Sequence, residues 1–179
     1  MTVLLNKALF LDRDGVINVE KNYLHKVEDF EFIDGIFELC RAFQDRGYLI
    51  VVVTNQSGIA RGYYSEEDFS VLTVWMIAAF KAQNIEITHV YHCPHHPDIS
   101  GACDCRKPNP GMLLEAAKTY QIDLKESLLI GDKERDIDAG FNAGLDEAYL
   151  YAPRGPEKET NATHIITSLK EWTETYENY

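Results

Sequence analysis

Residues Leu49-Ile-Val-Val-Val53 form an unbroken apolar run, β-branched at four of five positions, with no polar residue interposed. A strand with one face in water alternates polar and apolar side chains. One that is apolar throughout has to be covered on both faces. Lys7-Ala-Leu-Phe-Leu11, Ile87 to His92 and Ser127-Leu-Leu-Ile130 read as further short strands. Helical spacing fills the gaps between them. Phe37 to Arg46 stops at Gly47, and Ser65 caps a helix with early acids that runs to about Gln83. Pro110 opens a helix through Tyr120, and Arg135 to Asn142 is closed by Gly144. Glu147 to Tyr151 and His164 to Ile166 are expected as edge strands, and Ser168 starts a terminal helix. Strand and helix in alternation predict an α/β fold: a Rossmann-like three-layer sandwich with a mainly parallel central sheet. The chain shows no repeat, low-complexity tract or long linker, so residues 1–179 are expected to form a single domain.

In open α/β sheets, ligands bind beyond the carboxyl ends of the strands. Asp12, Thr54 and Asp132 each end a strand here and are expected on one rim. Composition limits what that rim can bind. The formal net charge of −12 argues against nucleic acid and anionic membranes as partners, and requires any phosphate site to bring its own cations. No apolar run is long enough to span a bilayer. Met1 to Lys7 reads as the approach to a strand rather than a cleaved leader, which makes the cytoplasm the default location. A monomer acting on a small molecule is the default expectation.

Four segments carry chemistry. In Phe10-Leu-Asp-Arg-Asp-Gly15, two carboxylates two residues apart face one site, so Asp12 can attack while Asp14 handles a proton. Alone, such a pair is equally an ordinary strand-to-loop junction. Val53-Thr-Asn-Gln-Ser-Gly58 offers the Thr54 hydroxyl, the Asn55 amide and loop N–H groups to phosphoryl oxygens, and Arg61 follows as an anion contact or a solvated arginine. Cys103-Asp-Cys-Arg-Lys-Pro108 places Arg106 and Lys107 ahead of a helix, supplying the cations that an acidic protein needs at a phosphate site. Ile130-Gly-Asp-Lys-Glu-Arg-Asp136 brings Asp132 as a third carboxylate for a shared cation, with Asp136 read as steadying the loop. Oxygen ligands of this kind suit magnesium, expected on Asp12, Asp14 and Asp132.

Of the four cysteines, Cys40 reads as a small buried hydrophobe. The other three cluster with histidines in Cys93-Pro-His-His-Pro97 and Cys103-Asp-Cys105. Thiolate and imidazole at that count suit a closed tetrahedral zinc site. Cys93, His95, Cys103 and Cys105 are the expected ligands, with His96 the competitor to His95. A zinc loop over residues 93–105 would fix Arg106 and Lys107, which directly follow a ligand.

Together these segments resemble the haloacid dehalogenase superfamily of phosphatases over nearly the whole chain. Asp12 and Asp14, Thr54, Lys107 and Asp132 fall where its four motifs would place them. The zinc loop followed by Cys-Arg-Lys-Pro is similar to a small branch of bacterial sugar and histidinol phosphatases, some of which act in making lipopolysaccharide sugars. The resemblance implies an aspartyl-phosphate intermediate on Asp12, no large cap domain, and an open site. It also implies that Thr54, Asn55 and Lys107 hold the phosphoryl group. Substrate contacts would come from Glu20, Lys21, Asn22 and Tyr23, and from Gln56, Ser57, Arg61 and Arg106. A phosphorylated sugar is the expected substrate, with histidinol phosphate as the alternative. A DNA 3′-phosphatase is disfavoured by the acidic charge. A zinc-stabilised binding protein that no longer catalyses would be expected to have lost part of the acidic set, which is present here.

Overall fold

The computed structural model describes residues 4–177; the first three residues of the expected Met1–Lys7 approach, and residues 178 and 179, lie outside them. Each apolar run forms a strand: β1 (Lys7–Leu11), β2 (Tyr48–Asn55), β3 (Ile87–Cys93), β4 (Leu128–Gly131), β5 (Glu147–Tyr151) and β6 (His164–Ile166). They make one sheet in the order β3-β2-β1-β4-β5-β6, and every pairing is parallel. β5 therefore lies inside the sheet. Its expected place at an edge was wrong, because β6, only three residues long, still pairs along it and takes the edge.

Successive side chains of the central strands enter opposite layers, as the two-residue period of a strand requires. Leu9, Leu11, Ile50, Val52, Leu128 and Ile130 pack with helices α1 (Ile36–Asp45), α2 (Glu66–Ala82) and α6 (Leu169–Glu177). Ala8, Phe10, Val51, Val53 and Leu129 pack with α4 (Gly111–Tyr120) and α5 (Glu134–Ala143). The sheet is thus covered on both sides, as the unbroken run Leu49–Val53 demanded.

Helix starts follow local chemistry. Ser65 accepts from the Asp68 amide while the Asp68 carboxylate accepts from the Ser65 amide, closing a capping box ahead of α2. α5 ends on Gly144 at φ 104°, a left-handed conformation that glycine adopts without steric cost. Two short pieces escaped sequence reading: a 3-10 turn at Val27–Asp29 and the single-turn helix α3 (Pro97–Ser100). Neither is long enough to show a period.

Candidate active site

The strand order reverses at β1. β2 and β3 lie to one side, β4 to β6 to the other, and a crevice opens above the carboxyl ends. A cavity of about 390 Å³ occupies it.

Asp12 leaves β1 with its backbone amide still donating to the Ile130 carbonyl of β4, at 3.1 Å. Its carboxylate meets the Lys107 ammonium at 2.9 Å. Lys107 also reaches Asp136 at 2.7 Å and donates to the Val53 carbonyl at 2.8 Å, so a fully buried lysine has three acceptors for its three N–H bonds. Burial pushes the Asp12 carboxyl well up, and the nearby Asp136 charge adds to this while Lys107 opposes it. Lys107 is held above its ordinary value despite burial, by the charges of Asp12 and Asp136.

Asp132 follows β4, and oxygens of Asp12, Asp132 and Asp136 all lie within 4.8 Å of one another. Burial and the Asp136 charge raise Asp132, and Lys133, 3.1 Å from its carboxylate, pulls the other way. Two glycines permit this crowding. A Cβ on Gly15, at φ 88°, would lie 2.2 Å from the Asp132 carboxylate, and one on Gly131 would lie 2.2 Å from Cβ of Asp136. Asp136 is largely spent already, on Lys107 and on the Lys133 amide that it caps at 3.1 Å. Three carboxylates gathered in a largely buried setting, with no softer donor among them, suit a hard cation such as magnesium.

The Asp14 carboxylate lies apart from that trio. One oxygen accepts from Arg13 and Asn18, each at 3.0 Å, and the other accepts from the Gln56 amide at 3.0 Å. Gln56 also donates to the Thr54 hydroxyl at 2.8 Å and accepts from the Tyr64 phenol. Asn55 lines the cavity and is also tied to the next segment. Its side chain brackets the Lys107 backbone, accepting from the amide at 3.0 Å and donating to the carbonyl at 3.1 Å.

Above this floor, Glu20, Asn22, Tyr23, Ser57, Arg61 and Arg106 line the cavity. Asn22 and Tyr23 have φ of 45° and 58°, consecutive left-handed residues of the kind that gather where ligands bind. Partial burial and the Asp14 charge raise Glu20. Lys21 does not join them; it donates to the Asp29 carbonyl at 2.9 Å and pairs with Glu31 at 3.2 Å. Lys133 and Arg135 line the cavity too, and sequence reading assigned neither. Their signal is a basic pair flanking Glu134 just past a strand-end aspartate.

Beside the cavity, Cys93, His95, Cys103 and Cys105 form a second donor group, its closest atoms 2.9 to 3.6 Å apart. A tetrahedral shell with Zn–S near 2.3 Å sets its ligands about 3.8 Å apart, so the group has the size and chemistry of a closed zinc site. Burial alone would raise Cys103, yet the Arg106 amide and the neighbouring thiols and imidazole bring it down to about 7. His96 faces elsewhere. One ring nitrogen meets Arg61 at 2.8 Å and the other accepts from the Asp98 amide as the cap of α3. Arg106 donates to the His95 carbonyl at 3.2 Å, which ties this cluster to the cavity wall.

The HAD-hydrolase-like family model matches residues 104–172. The chain is 52% identical over 165 residues to the D-glycero-α-D-manno-heptose-1,7-bisphosphate 7-phosphatase of Campylobacter jejuni, covering 92% of each. It is 45% identical over 170 residues to the corresponding β-anomer enzyme of Photorhabdus laumondii, covering 90% of each. The fold matches the D,D-heptose 1,7-bisphosphate phosphatase of B. bronchiseptica, solved with magnesium and phosphate, at a TM-score of 0.81 and 29% identity, covering 95% of this chain and 97% of that one. The chain belongs to the heptose-1,7-bisphosphate 7-phosphatase family of haloacid dehalogenase-like hydrolases.

Proposed function

We propose that this chain removes the 7-phosphate of D-glycero-D-manno-heptose 1,7-bisphosphate through an aspartyl-phosphate on Asp12, in the supply of ADP-heptose for lipopolysaccharide. The observation that carries the reading is the floor of the cavity. Asp12 stands at a strand end, held by a buried lysine and flanked by Asp14 and Asp132, within a chain whose relatives bear that enzyme's name.

Asp12 attacks phosphorus, and the bond to the sugar oxygen breaks on the far side. Lys107, 2.9 Å from the attacking carboxylate, and the Thr54 hydroxyl offset charge on the phosphoryl oxygens. Asp14 gives its proton to the departing sugar oxygen, then takes one from the water that cleaves the acyl phosphate. Asn55 serves by holding the Lys107 backbone in place. Magnesium would be held by the carboxylates of Asp12 and Asp132 and by Asp14. Because the Asp14 carboxylate is not among the clustered oxygens of Asp12, Asp132 and Asp136, its share would fall to its backbone carbonyl. Bound there, the ion supplies Lewis-acid stabilisation of phosphoryl charge. Zinc on Cys93, His95, Cys103 and Cys105 would be structural, fixing Arg106 and Lys107. A bisphosphate has a second anionic group to place, and Arg61, Arg106, Lys133 and Arg135 on the walls supply cations for it.

The α-anomer is our choice of substrate, because three relatives named for the α-sugar match at 46 to 52% and five named for the β-sugar at 42 to 45%. We place the enzyme in the cytoplasm as a monomer; among the described residues no helix is long and apolar enough to cross a membrane. Phosphate release from the α- and β-heptose bisphosphates and from histidinol phosphate tests the choice. The α-sugar is expected to turn over fastest, and faster release from histidinol phosphate would overturn the assignment. Asp12→Asn is expected to fold and lose turnover; normal turnover in that variant would refute nucleophilic attack and leave a non-covalent or binding role.

A further inference from the structure

Tyr64 belongs to none of the four motifs, yet it is 6% exposed and borders the cavity. Its phenol donates to Oε1 of Gln56, which is itself buried. Both hydrogens of the Gln56 amide nitrogen are then committed, one to Asp14 at 3.0 Å and one to Thr54 at 2.8 Å. We propose that Tyr64, acting through Gln56, is a positioning residue that holds the Asp14 carboxylate in line for proton transfer to the leaving group. The inference rests on the reading of Asp14 as the acid/base.

The two oxygens of Asp14 are treated differently. Oδ1 is taken by Arg13 and Asn18, while Oδ2 has Gln56. Oδ2 is therefore the oxygen with capacity left to carry the transferred proton, and Gln56 sets its direction. An amide can bind in either of two flips, and only one presents N–H to a carboxylate. The other would set Oε1 against Oδ2, acceptor to acceptor. The carboxylate, which only accepts, demands the productive flip, and the Tyr64 hydroxyl anchors it by satisfying the Oε1 that this flip leaves buried. Burial raises the Tyr64 phenol to about 12, so it keeps its proton across the working range. The ring is gripped on two sides. It stacks on His25 with centroids 5.1 Å apart, and it lies so close to Gly58 that a Cβ there would fall 2.2 Å from the ring.

Two leaving groups separate alignment of the acid from general damage. A sugar alkoxide needs a proton to depart, whereas p-nitrophenolate leaves without one. In single-turnover experiments Tyr64→Phe, which keeps the ring stack, is expected to slow phosphoryl transfer from the heptose bisphosphate by about tenfold or more. The p-nitrophenolate burst should change by less than about twofold, because a general acid contributes little to that step. KM for the sugar should stay near the parent value. Gly58→Ala, which displaces the same ring, should give the same selective loss. Equal slowing with both leaving groups, or a rise in KM alone, would overturn the inference and make Tyr64 a packing or substrate-contact residue. Asp14→Asn is the control, expected to slow transfer from the sugar by about 10²–10⁴-fold and to spare the burst. If that control shows no selectivity, the acid role of Asp14 fails and the inference with it. If the control is selective and Tyr64→Phe is not, the inference alone fails.

Discussion

Asp12 and Asp132 are two carboxylates in a dry setting, with Asp136 beside both, and each is pushed above the ordinary carboxylate range mainly by burial. Their raised folded values mean that the folded chain holds protons which the unfolded chain gives up above about pH 4. Stability from these groups is therefore lost as pH rises through the folded values. A cation that replaces those protons restores it. A fixed excess of magnesium should raise the unfolding temperature more at pH 8 than at pH 5.5, where protons compete for the same oxygens; binding at about 100 times Kd adds about 2.7 kcal/mol. Thermal denaturation with and without the ion checks this, and a shift equal at both pH values would refute it. At this scale the sequence showed residue types better than partners. Asp12, Lys107 and Asp132 stood out because charge at a strand end needs a reason. Asn55 and Asp136 hide their work, since bracketing the Lys107 backbone and saturating its ammonium depend on what the fold brings across 52 residues in one case and 29 in the other. Tyr64 gave no sign, because a tyrosine six residues past a motif is most often core.

Between β3 and α4 most side chains are exposed or half-buried, and the thiol and imidazole cluster gathers there against the apolar core. Arg106 is tied to the His95 carbonyl and Lys107 to Asn55, so loosening the cluster loosens two cavity residues at once. Cys103→Ser is expected to lose most of its bound zinc and to raise KM for the sugar several-fold while leaving the β-sheet intact. Metal analysis beside steady-state kinetics and circular dichroism decides it; full zinc content in the variant would refute the ligand set. Elements with their own caps or unbroken apolar runs were legible, α2 through Ser65 and β2 through Leu49–Val53. The four-residue α3 and the interior position of β5 were not, the first because one turn carries no period, the second because its position is decided by pairing with β6.

The molecule as a whole is acidic, at −12, and its substrate is polyanionic. On the proposed function the arginines and lysines of the cavity would act at short range on a bound phosphate, while the net negative charge repels an approaching one. Raising ionic strength from about 0.01 M to 0.15 M shortens the screening length from about 30 to 8 Å, which removes the distant repulsion first. The expected outcome is a rise in kcat/KM for the bisphosphate with kcat unchanged, read from initial rates over that range. A fall in kcat/KM would mean that local attraction governs encounter. The three-layer architecture and the common rim were readable from strand ends alone, because a parallel sheet covered on both sides leaves few other places for Asp12, Thr54 and Asp132.

The place of β1 has a consequence for how the molecule comes into being. β1 is the first strand of the chain and lies between β2 and β4, and β4 begins at Leu128. During synthesis Asp12 waits for Lys107, 95 residues further on, and for Asp132, 120 residues further on. Neither helices nor a half-sheet can furnish a competent centre beforehand. Pairing β1 with β4 closes a loop of 119 residues against 41 for β1 with β2, so the β1–β4 ladder is expected to form after the β1–β2 one. On the proposed mechanism a chain that stops before β4 lacks Asp132 and is expected to be inert, and refolding should regain catalysis only in step with completion of the sheet.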